Sequence, residues 1–143
     1  MNIFTSMQIG ASALKANSIR LNTISSNLAN IETTSTPEGG PYKRKSVYFE
    51  TAPLSFKDHL ANTVNGSVEG VKVKEIQEDT DPPKKVYRPQ HPDADENGYV
   101  GMPNVSLLEE IVDMKSATRS YNANATVIKS AKRMAMKALE IGR

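Results

Sequence analysis

The sequence is poor in the residues on which most chemical sites and cross-linked folds depend. It contains no cysteine and no tryptophan, and aromatic residues make up only 6% of the chain. The lack of cysteine excludes a disulfide framework, a thiolate zinc site and a cysteine nucleophile. No stretch approaches the ~18 consecutive apolar residues of a membrane-spanning helix. The formal net charge of +2 is nearly balanced, and this gives little support to nucleic-acid binding.

The chain also has few hydrophobic residues for a core, and its first ten residues lack the features of a signal peptide. Hydrophobic residues account for 38% of the 143 positions, against a typical apolar share of ~45–50% that also includes glycine. A chain of this length has the size of one domain, so it either stays partly disordered or completes its core with partners. Residues 1–10 contain neither a basic segment nor an apolar one, and we therefore expect no cleaved Sec-type signal peptide.

The distribution of proline divides the chain into three segments. All eight prolines lie between Pro37 and Pro103. Because proline removes a backbone donor and clashes with the preceding helical turn, long helices are expected only at the two ends. We predict an N-terminal helix within residues 1–36, a small β- and loop-rich middle domain at 37–103, and a C-terminal helix within 104–143. The predicted fold is mainly α, with the two terminal helices pairing as an antiparallel coiled coil.

Each terminal segment carries a heptad-like stripe whose positions alternate steps of three and four residues. Such spacing is typical of an amphipathic helix. The stripes predict helices of about 29 and 35 residues, the second opened by Ser106 and Glu109 as a capping box. The first stripe consists of Met7, Gly10, Leu14, Asn17, Leu21, Ile24, Leu28 and Ile31. The second consists of Leu107, Ile111, Met114, Thr118, Tyr121, Ala125, Ile128, Lys132, Ala135 and Leu139.

The middle domain is expected to contain short strands and turns. Residues 46–50 and 85–88 are β-prone, and residues 71–76 alternate apolar and charged side chains as a half-buried strand does. Residues 78–85 are polar and contain two consecutive prolines, which indicates a loop. The segment is large enough only for a small sheet or a β-hairpin near the helices.

The C-terminal helix has more apolar surface than one helical partner can cover. Beside the stripe runs a second row, which consists of Val127, Ala131, Met134, Ala138 and Ile141. Each large aliphatic side chain left exposed forgoes roughly 1.5–3 kcal/mol. We therefore expect equivalent helices of other subunits to cover this face, and the alternative is a two-helix core within one chain with a frayed tail.

The end of the first helix is unusually rich in uncharged polar residues. Asn22, Ser26 and Asn30 are spaced four apart, and Asn27 lies beside them. A solvated face would normally carry lysine and glutamate, but between Lys15 and Glu32 the only charge is one arginine. Buried amides can fix the register of packed helices, so this segment predicts hydrogen bonds across a helix–helix interface.

Motifs that could carry chemistry are weak. Residues 93–98 match the first half of a calcium loop, but Asn104 stands where a bidentate glutamate is needed, so an Asx-rich turn is favoured. Neither His59 nor His91 has the partners of a zinc site or a catalytic triad. Three basic residues at 43–45 indicate a solvated strand end. We predict no catalytic residue, metal, cofactor, nucleic acid or small-molecule substrate, and hence no enzyme.

Residues 22–30 (NTISSNLAN) resemble the N-terminal signature of the flagellar axial proteins of rod and hook. Residues 36–45, 91–105 and 109–124 are similar to the variants of a short proximal-rod member of that family. The resemblance implies a structural subunit of the proximal rod in the basal body, located in the periplasm and exported unfolded without a cleaved signal. It also implies helical self-assembly, with the terminal helices forming an inner layer around the export channel of the drive shaft and the middle domain outside.

The partners implied by the resemblance are other copies of the chain, neighbouring rod proteins, the adaptor between rod and membrane ring, the ring protein, and the type III export apparatus during transit. A soluble helical adaptor or export chaperone that forms a closed oligomer remains an alternative. The residues predicted to form the assembly interface are Met7, Leu14, Leu21, Asn22, Ile24, Ser26, Asn27, Leu28, Asn30, Ile31, Leu107, Ile111, Met114, Tyr121, Ile128, Met134, Leu139 and Ile141.

Overall fold

The computed structural model describes residues 3–53 and 69–141, and it contains a long helix at each end of the chain with short strands between them. The elements are α1 (Ile3–Ala29), β1 (Lys45–Pro53), β2 (Glu69–Glu78), β3 (Lys84–Tyr87), β4 (Tyr99–Met102) and α2 (Leu107–Ile141). Two terminal helices that pack on each other beside a small β region confirm the predicted fold class at this level. Within the described ranges, neither helix combines the length and apolar character needed to cross a membrane.

The helices α1 and α2 contact each other along most of their length. Near the start of α1, Gly10 lies so close to Ile128 that a Cβ atom on the glycine would be 2.9 Å from Ile128 Cγ1. Near the end of α1, Asn27 donates a hydrogen bond to Glu110, close to the start of α2. The contacts therefore follow opposite orders along the two helices. Small residues allow this close approach, since Ala117 and Ala131 of α2 are almost completely buried.

The face that the helices bury differs from the predicted stripes. In α1 the buried residues are Gly10, Ala16, Thr23, Ile24 and Asn27, and in α2 they are Glu110, Ala117 and Ala131. Of the stripe residues, Gly10 and Ile24 lie in this seam, whereas the leucines of α1 are half-buried and those at the start of α2 are exposed. In α2 each seam residue thus lies one position before a stripe residue, because small side chains let the backbones approach most closely.

The strands β1 and β2 form an antiparallel pair that packs on α1. Their register runs from Lys45 opposite Glu78 to Pro53 opposite Glu69, with an irregularity between Tyr48 and Phe49. The backbone N–H of Val71 donates to Ser12 Oγ of α1 at 3.1 Å. The predicted runs at 46–50 and 71–76 lie inside these strands. The half-buried alternation ends at Val73, however, and beyond the irregularity both Glu75 and Ile76 are exposed.

The strands β3 and β4 form a second antiparallel pair, from Lys84 opposite Met102 to Tyr87 opposite Tyr99. The sequence predicted a strand at 85–88 but not β4, and β2 and β3 shorten the loop predicted at 78–85 to five residues, 79–83. The turn between β3 and β4 confirms the expected Asx geometry: Asp95 Oδ1 accepts hydrogen bonds from the backbone N–H groups of Asn97 and Tyr99. His59, one of the two histidines considered for a zinc site or a catalytic triad, lies outside the described residues.

Candidate assembly surface

One end of the helix pair, here called the base, contains a buried cluster of hydrogen-bonded polar groups. This polar junction consists of Asn27 from α1, Tyr42 and Arg44 from the segment that follows it, the backbone of Lys45 at the start of β1, and Glu110 from α2. Glu110 and Asn27 are each 1% exposed. Burying a charge without a partner is very unfavourable, so the surrounding contacts decide whether this arrangement is stable.

An ion pair satisfies the buried carboxylate. Arg44 Nε donates to Glu110 Oε1 at 2.6 Å, and Asn27 Nδ2 donates to Oε2 at 3.1 Å. Partial burial by itself would lower the pKa of Arg44, but the hydrogen bond and charge of Glu110, with smaller contributions from Glu109 and Asp113, leave that pKa raised. The guanidinium therefore stays charged. This corrects the prediction that residues 43–45 are simply a solvated strand end.

Asn27 uses its whole side-chain amide within the chain. Its Nδ2 donates to the carbonyl of Lys45 and to Glu110, and its Oδ1 accepts from the N–H of Lys45 and from the hydroxyl of Tyr42. Asn30 Nδ2 donates to the carbonyl of Ser26, one turn earlier in α1. Asn27 thus makes a hydrogen bond between helices, but its partner is in the same chain, and Asn30 bonds within α1, so hydrogen bonds from this segment to neighbouring subunits stay a prediction. Asn22 is exposed and available to a neighbour.

Large apolar side chains remain exposed at the two ends of α2. The base patch comprises Leu107, Leu108, Ile111 and Val112, and the tip patch comprises Met134, Met136, Leu139 and Ile141. Their exposure reaches 74% at Leu108 and 84% at Ile141. Residues 115–126 between the patches are mainly polar or small. Patches of this kind mark interaction surfaces when they are contiguous.

The structure divides the residues predicted for the assembly interface into three groups. Ile24 and Asn27 are buried inside the chain and present no surface to a neighbour in this state. The half-buried residues are Met7, Leu14, Leu21, Ser26, Leu28, Asn30, Ile31, Met114 and Ile128. The exposed residues are Asn22, Leu107, Ile111, Tyr121, Met134, Leu139 and Ile141. For the half-buried and the exposed residues, a role in the assembly interface remains a prediction.

Sequence reasoning missed several residues of this surface. Leu108 and Val112 are each adjacent to a stripe residue, so the doublets Leu107–Leu108 and Ile111–Val112 could have indicated a face wider than one stripe. Met136 lies outside both apolar rows and gave no periodic signal. The pairing of Arg44 with Glu110 joins residues 66 positions apart, and no local pattern indicates it.

The acidic turn before β4 is occupied by structural hydrogen bonds. Asp93 Oδ2 accepts from Thr34 Oγ1 at 2.6 Å, and this bond ties the turn to the segment after α1. Asp95 holds the turn itself. Within residues 3–53 and 69–141, no three or more histidine, aspartate or glutamate side chains form a group that could hold a metal ion.

Two family models match the helical ends of the chain. The model described as "Flagella basal body rod protein" matches residues 7–35, which cover most of α1 and the turn after it. The model described as "Flagellar basal body rod FlgEFG protein C-terminal" matches residues 96–141, which cover β4 and all of α2. The matched segments are therefore those that form the helix pair and its exposed patches.

Full-length relatives agree with these matches. The flagellar basal-body rod protein FlgC of Bacillus subtilis is 45% identical over 100% of both chains. The FlgC proteins of Salmonella typhimurium and Borreliella burgdorferi are 44% and 41% identical, and each alignment covers 99% of this chain and at least 97% of the relative. These relatives are named as structural proteins of the basal-body rod and not as enzymes, which confirms both the predicted structural role and the predicted lack of catalysis. The chain belongs to the FlgC family of flagellar basal-body rod proteins.

Proposed function

We propose that this rod subunit occupies the proximal rod and assembles helically with other copies and with neighbouring rod proteins through α1 and α2. The observation that carries the proposal is the exposure of large apolar side chains at both ends of α2, of which Leu108, Leu139 and Ile141 are each more than 70% exposed. A monomer that leaves these side chains exposed to water forgoes the stabilising free energy that their burial would contribute. Helices of adjacent subunits are the natural cover, since family relatives are named as components of a rod.

In the proposed assembly α1 and α2 form an antiparallel coiled coil within an inner layer around the export channel. Two features support this arrangement. The helix contacts run in opposite directions, from Gly10 with Ile128 to Asn27 with Glu110. The strand pair β1–β2 packs on α1, so that the middle domain would lie on the outside of the helical layer. There it would meet the adaptor between rod and membrane ring, and the ring protein.

The proposed route to this position is unfolded passage through the flagellar type III export apparatus into the periplasm, without cleavage of a signal peptide. The absence of cysteine is compatible with that route, because no disulfide can trap the chain during transit. The alternative of a closed adaptor or chaperone oligomer has less support, because the relatives are named as components of a rod.

Hydrogen exchange tests the proposal. In the isolated full-length protein, we expect amides of α1 and α2 outside the seam to exchange quickly, because a single helix pair with bare apolar faces opens readily. In purified basal bodies that contain the chain, the same amides should be strongly protected. The proposal would be wrong if the isolated protein were a monodisperse monomer with both helices already fully protected, or if the chain were absent from basal bodies.

A further inference from the structure

The turn between β3 and β4 contains an asparagine followed by glycine, Asn97 and Gly98. In an unfolded chain, the peptide nitrogen of such a glycine can attack the side-chain carbonyl carbon of the asparagine, because glycine has no side chain to hinder the approach. The nitrogen loses its proton, a bond forms between it and Cγ of the asparagine, and ammonia leaves. Water then opens the cyclic imide at either carbonyl, which gives aspartate or isoaspartate. Asn97 is exposed, so water and the solvent bases that take up the proton have access to this site.

In the folded turn, hydrogen bonds hold the groups that this reaction has to move. The nitrogen of Gly98, which would attack, donates to the carbonyl of Asp95 at 2.9 Å. Asp95 Oδ1 accepts from the backbone N–H of Asn97 at 2.9 Å and from that of Tyr99 at 2.8 Å. The carbonyl of Gly98 accepts from the N–H of Arg88 at 2.9 Å. The nitrogen must therefore break its bond to Asp95, and the turn must open, before the imide can form.

The fold also explains why a glycine follows the asparagine. Gly98 has a φ of 78°, in the left-handed region that side chains rarely adopt. A Cβ atom at this position would lie 2.9 Å from Tyr87 Cε2 and 3.1 Å from Pro89 Cβ. The ring of Tyr87 packs edge-to-face against that of Tyr99, with 5.4 Å between the centroids, which limits its freedom to give way. The turn thus requires the residue that makes the preceding asparagine most reactive.

We propose that Asn97 is a site of spontaneous deamidation, and that the hydrogen bonds of Asp95 suppress the reaction once the turn has folded. Isoaspartate would add a methylene group to the backbone between residues 97 and 98, so the nitrogen of Gly98 would lose its alignment with the carbonyl of Asp95. The reaction follows from the chemistry of the chain and does not depend on the proposed function. If the chain does pass through the export apparatus unfolded, this site is reactive during transit and protected after folding.

Deamidation kinetics of the full-length protein test the inference. The protein is incubated in heavy-oxygen water at one pH and temperature, either folded or unfolded in guanidinium chloride. Mass spectrometry of peptides that contain residue 97 then measures the labelled aspartate and isoaspartate. We expect the folded protein to react at least about ten-fold more slowly, because the reaction requires local opening of a hydrogen-bonded turn. The other Asn-Gly dipeptide of the chain, residues 65–66, lies outside the described residues and should react at a similar rate in guanidinium chloride.

Asp95 offers a matched pair of variants. Asp95→Ala removes the oxygen that accepts from Asn97 and Tyr99, so the folded variant should deamidate several-fold faster than the natural chain, with an unchanged rate in guanidinium chloride. Asp95→Asn keeps an oxygen acceptor at this position and removes the negative charge. Its rate in the folded state should stay close to that of the natural chain. Circular dichroism checks that both variants retain the helices.

The comparison of folded and unfolded natural protein requires no variant and is decisive by itself. Equal rates at residue 97 in the two states would overturn the inference, as would the lack of any reaction in guanidinium chloride. A folded Asp95→Ala chain that deamidates no faster than the natural chain would also overturn it. So would equal acceleration by Asp95→Asn, because the charge of Asp95 rather than its hydrogen bonds would then control the rate.

Discussion

The base and the tip of the helix pair are built in opposite ways. At the base, Asn27, Arg44 and Glu110 satisfy one another, and the junction needs nothing from outside the chain. At the tip, Leu139 and Ile141 are exposed to solvent and make the surface of the helix end apolar. The base therefore specifies how one copy folds, whereas the tip lowers the free energy only when another molecule covers it. The base thus combines a self-sufficient polar junction with the exposed base patch, whereas the tip has exposed apolar side chains and no such junction.

The largest effect that would test this comparison is expected from Glu110→Ala. The substitution leaves Arg44 half-buried without its ion pair and removes an acceptor from Asn27. Breaking a buried pair by removing one partner typically costs 3–5 kcal/mol, and because Arg44 retains 25% exposure we expect about 3 kcal/mol of lost unfolding free energy. Urea denaturation followed by circular dichroism measures it. The control Lys115→Ala, at an exposed site of the same helix, should change stability by less than about 0.5 kcal/mol.

A smaller loss is expected from Tyr42→Phe. The hydroxyl of Tyr42 donates to Asn27 Oδ1 at 3.0 Å, and the ring can stay in place when the hydroxyl is removed. A neutral hydrogen bond contributes about 1 kcal/mol on average, and Asn27 Oδ1 keeps its bond from the N–H of Lys45. Denaturation should therefore show a decrease of about 1 kcal/mol. An unchanged midpoint would mean that the junction does not depend on this hydroxyl.

The seam between the two ends gives a third test. In Gly10→Ala the new Cβ would lie 2.9 Å from Ile128 Cγ1, so the helices must separate slightly. Overpacking costs about 1–3 kcal/mol, but alanine gains about 1 kcal/mol over glycine in helix propensity, so the net loss should lie between about zero and 2 kcal/mol. In a double-mutant cycle, Ile128→Ala should relieve the clash. Additive effects of the two substitutions would contradict close contact at Gly10.

The tip should show the smallest effect on the isolated chain. Leu139→Ser removes an apolar side chain that is 76% exposed, so we expect the unfolding free energy to change by less than about 0.5 kcal/mol. Incorporation into basal bodies, measured by immunoblotting of purified particles, should nevertheless fall several-fold. If Leu139→Ser lost as much stability as Glu110→Ala, the tip would have to be packed in the free chain. That result would contradict the difference between base and tip.

The start of α2 could be predicted almost to the residue, because Ser106 directly precedes it, whereas α1 ends at Ala29, two residues before the last stripe position and well before Pro37. The face that the helices bury could not be predicted from the sequence. The periodic rows included Gly10 and Ala131, but periodicity alone did not indicate that these small residues and Ala117, rather than Leu14 and Leu21, line the seam. A pattern of hydrophobicity gives little weight to such residues. The apolar rows instead indicated surface that one chain leaves uncovered, and this part of the interpretation agrees with the exposure of the tip.

The polar junction escaped prediction for a different reason. Its residues lie far apart in the sequence and in three separate elements, and each has an ordinary local role: Glu110 suits the first turn of a helix, and Arg44 suits a strand end. β4 was missed because its four residues are too few to show alternation and include Gly101, which is unfavourable in strands. Long-range pairing of charges and very short strands depend on the folded arrangement rather than on local pattern.

The hydrogen bond between Asn27 and Glu110 has a kinetic consequence. It joins residues 83 positions apart, and bringing the ends of such a segment together costs roughly 4 kcal/mol of chain entropy before any contact is gained. Contacts of this separation slow folding. The first helix can begin to coil as soon as it is free, but the junction can close only after the start of the second helix has also arrived. A chain that leaves the export apparatus unfolded, as proposed above, would therefore acquire this packing only after the segments around residues 27 and 110 have both emerged.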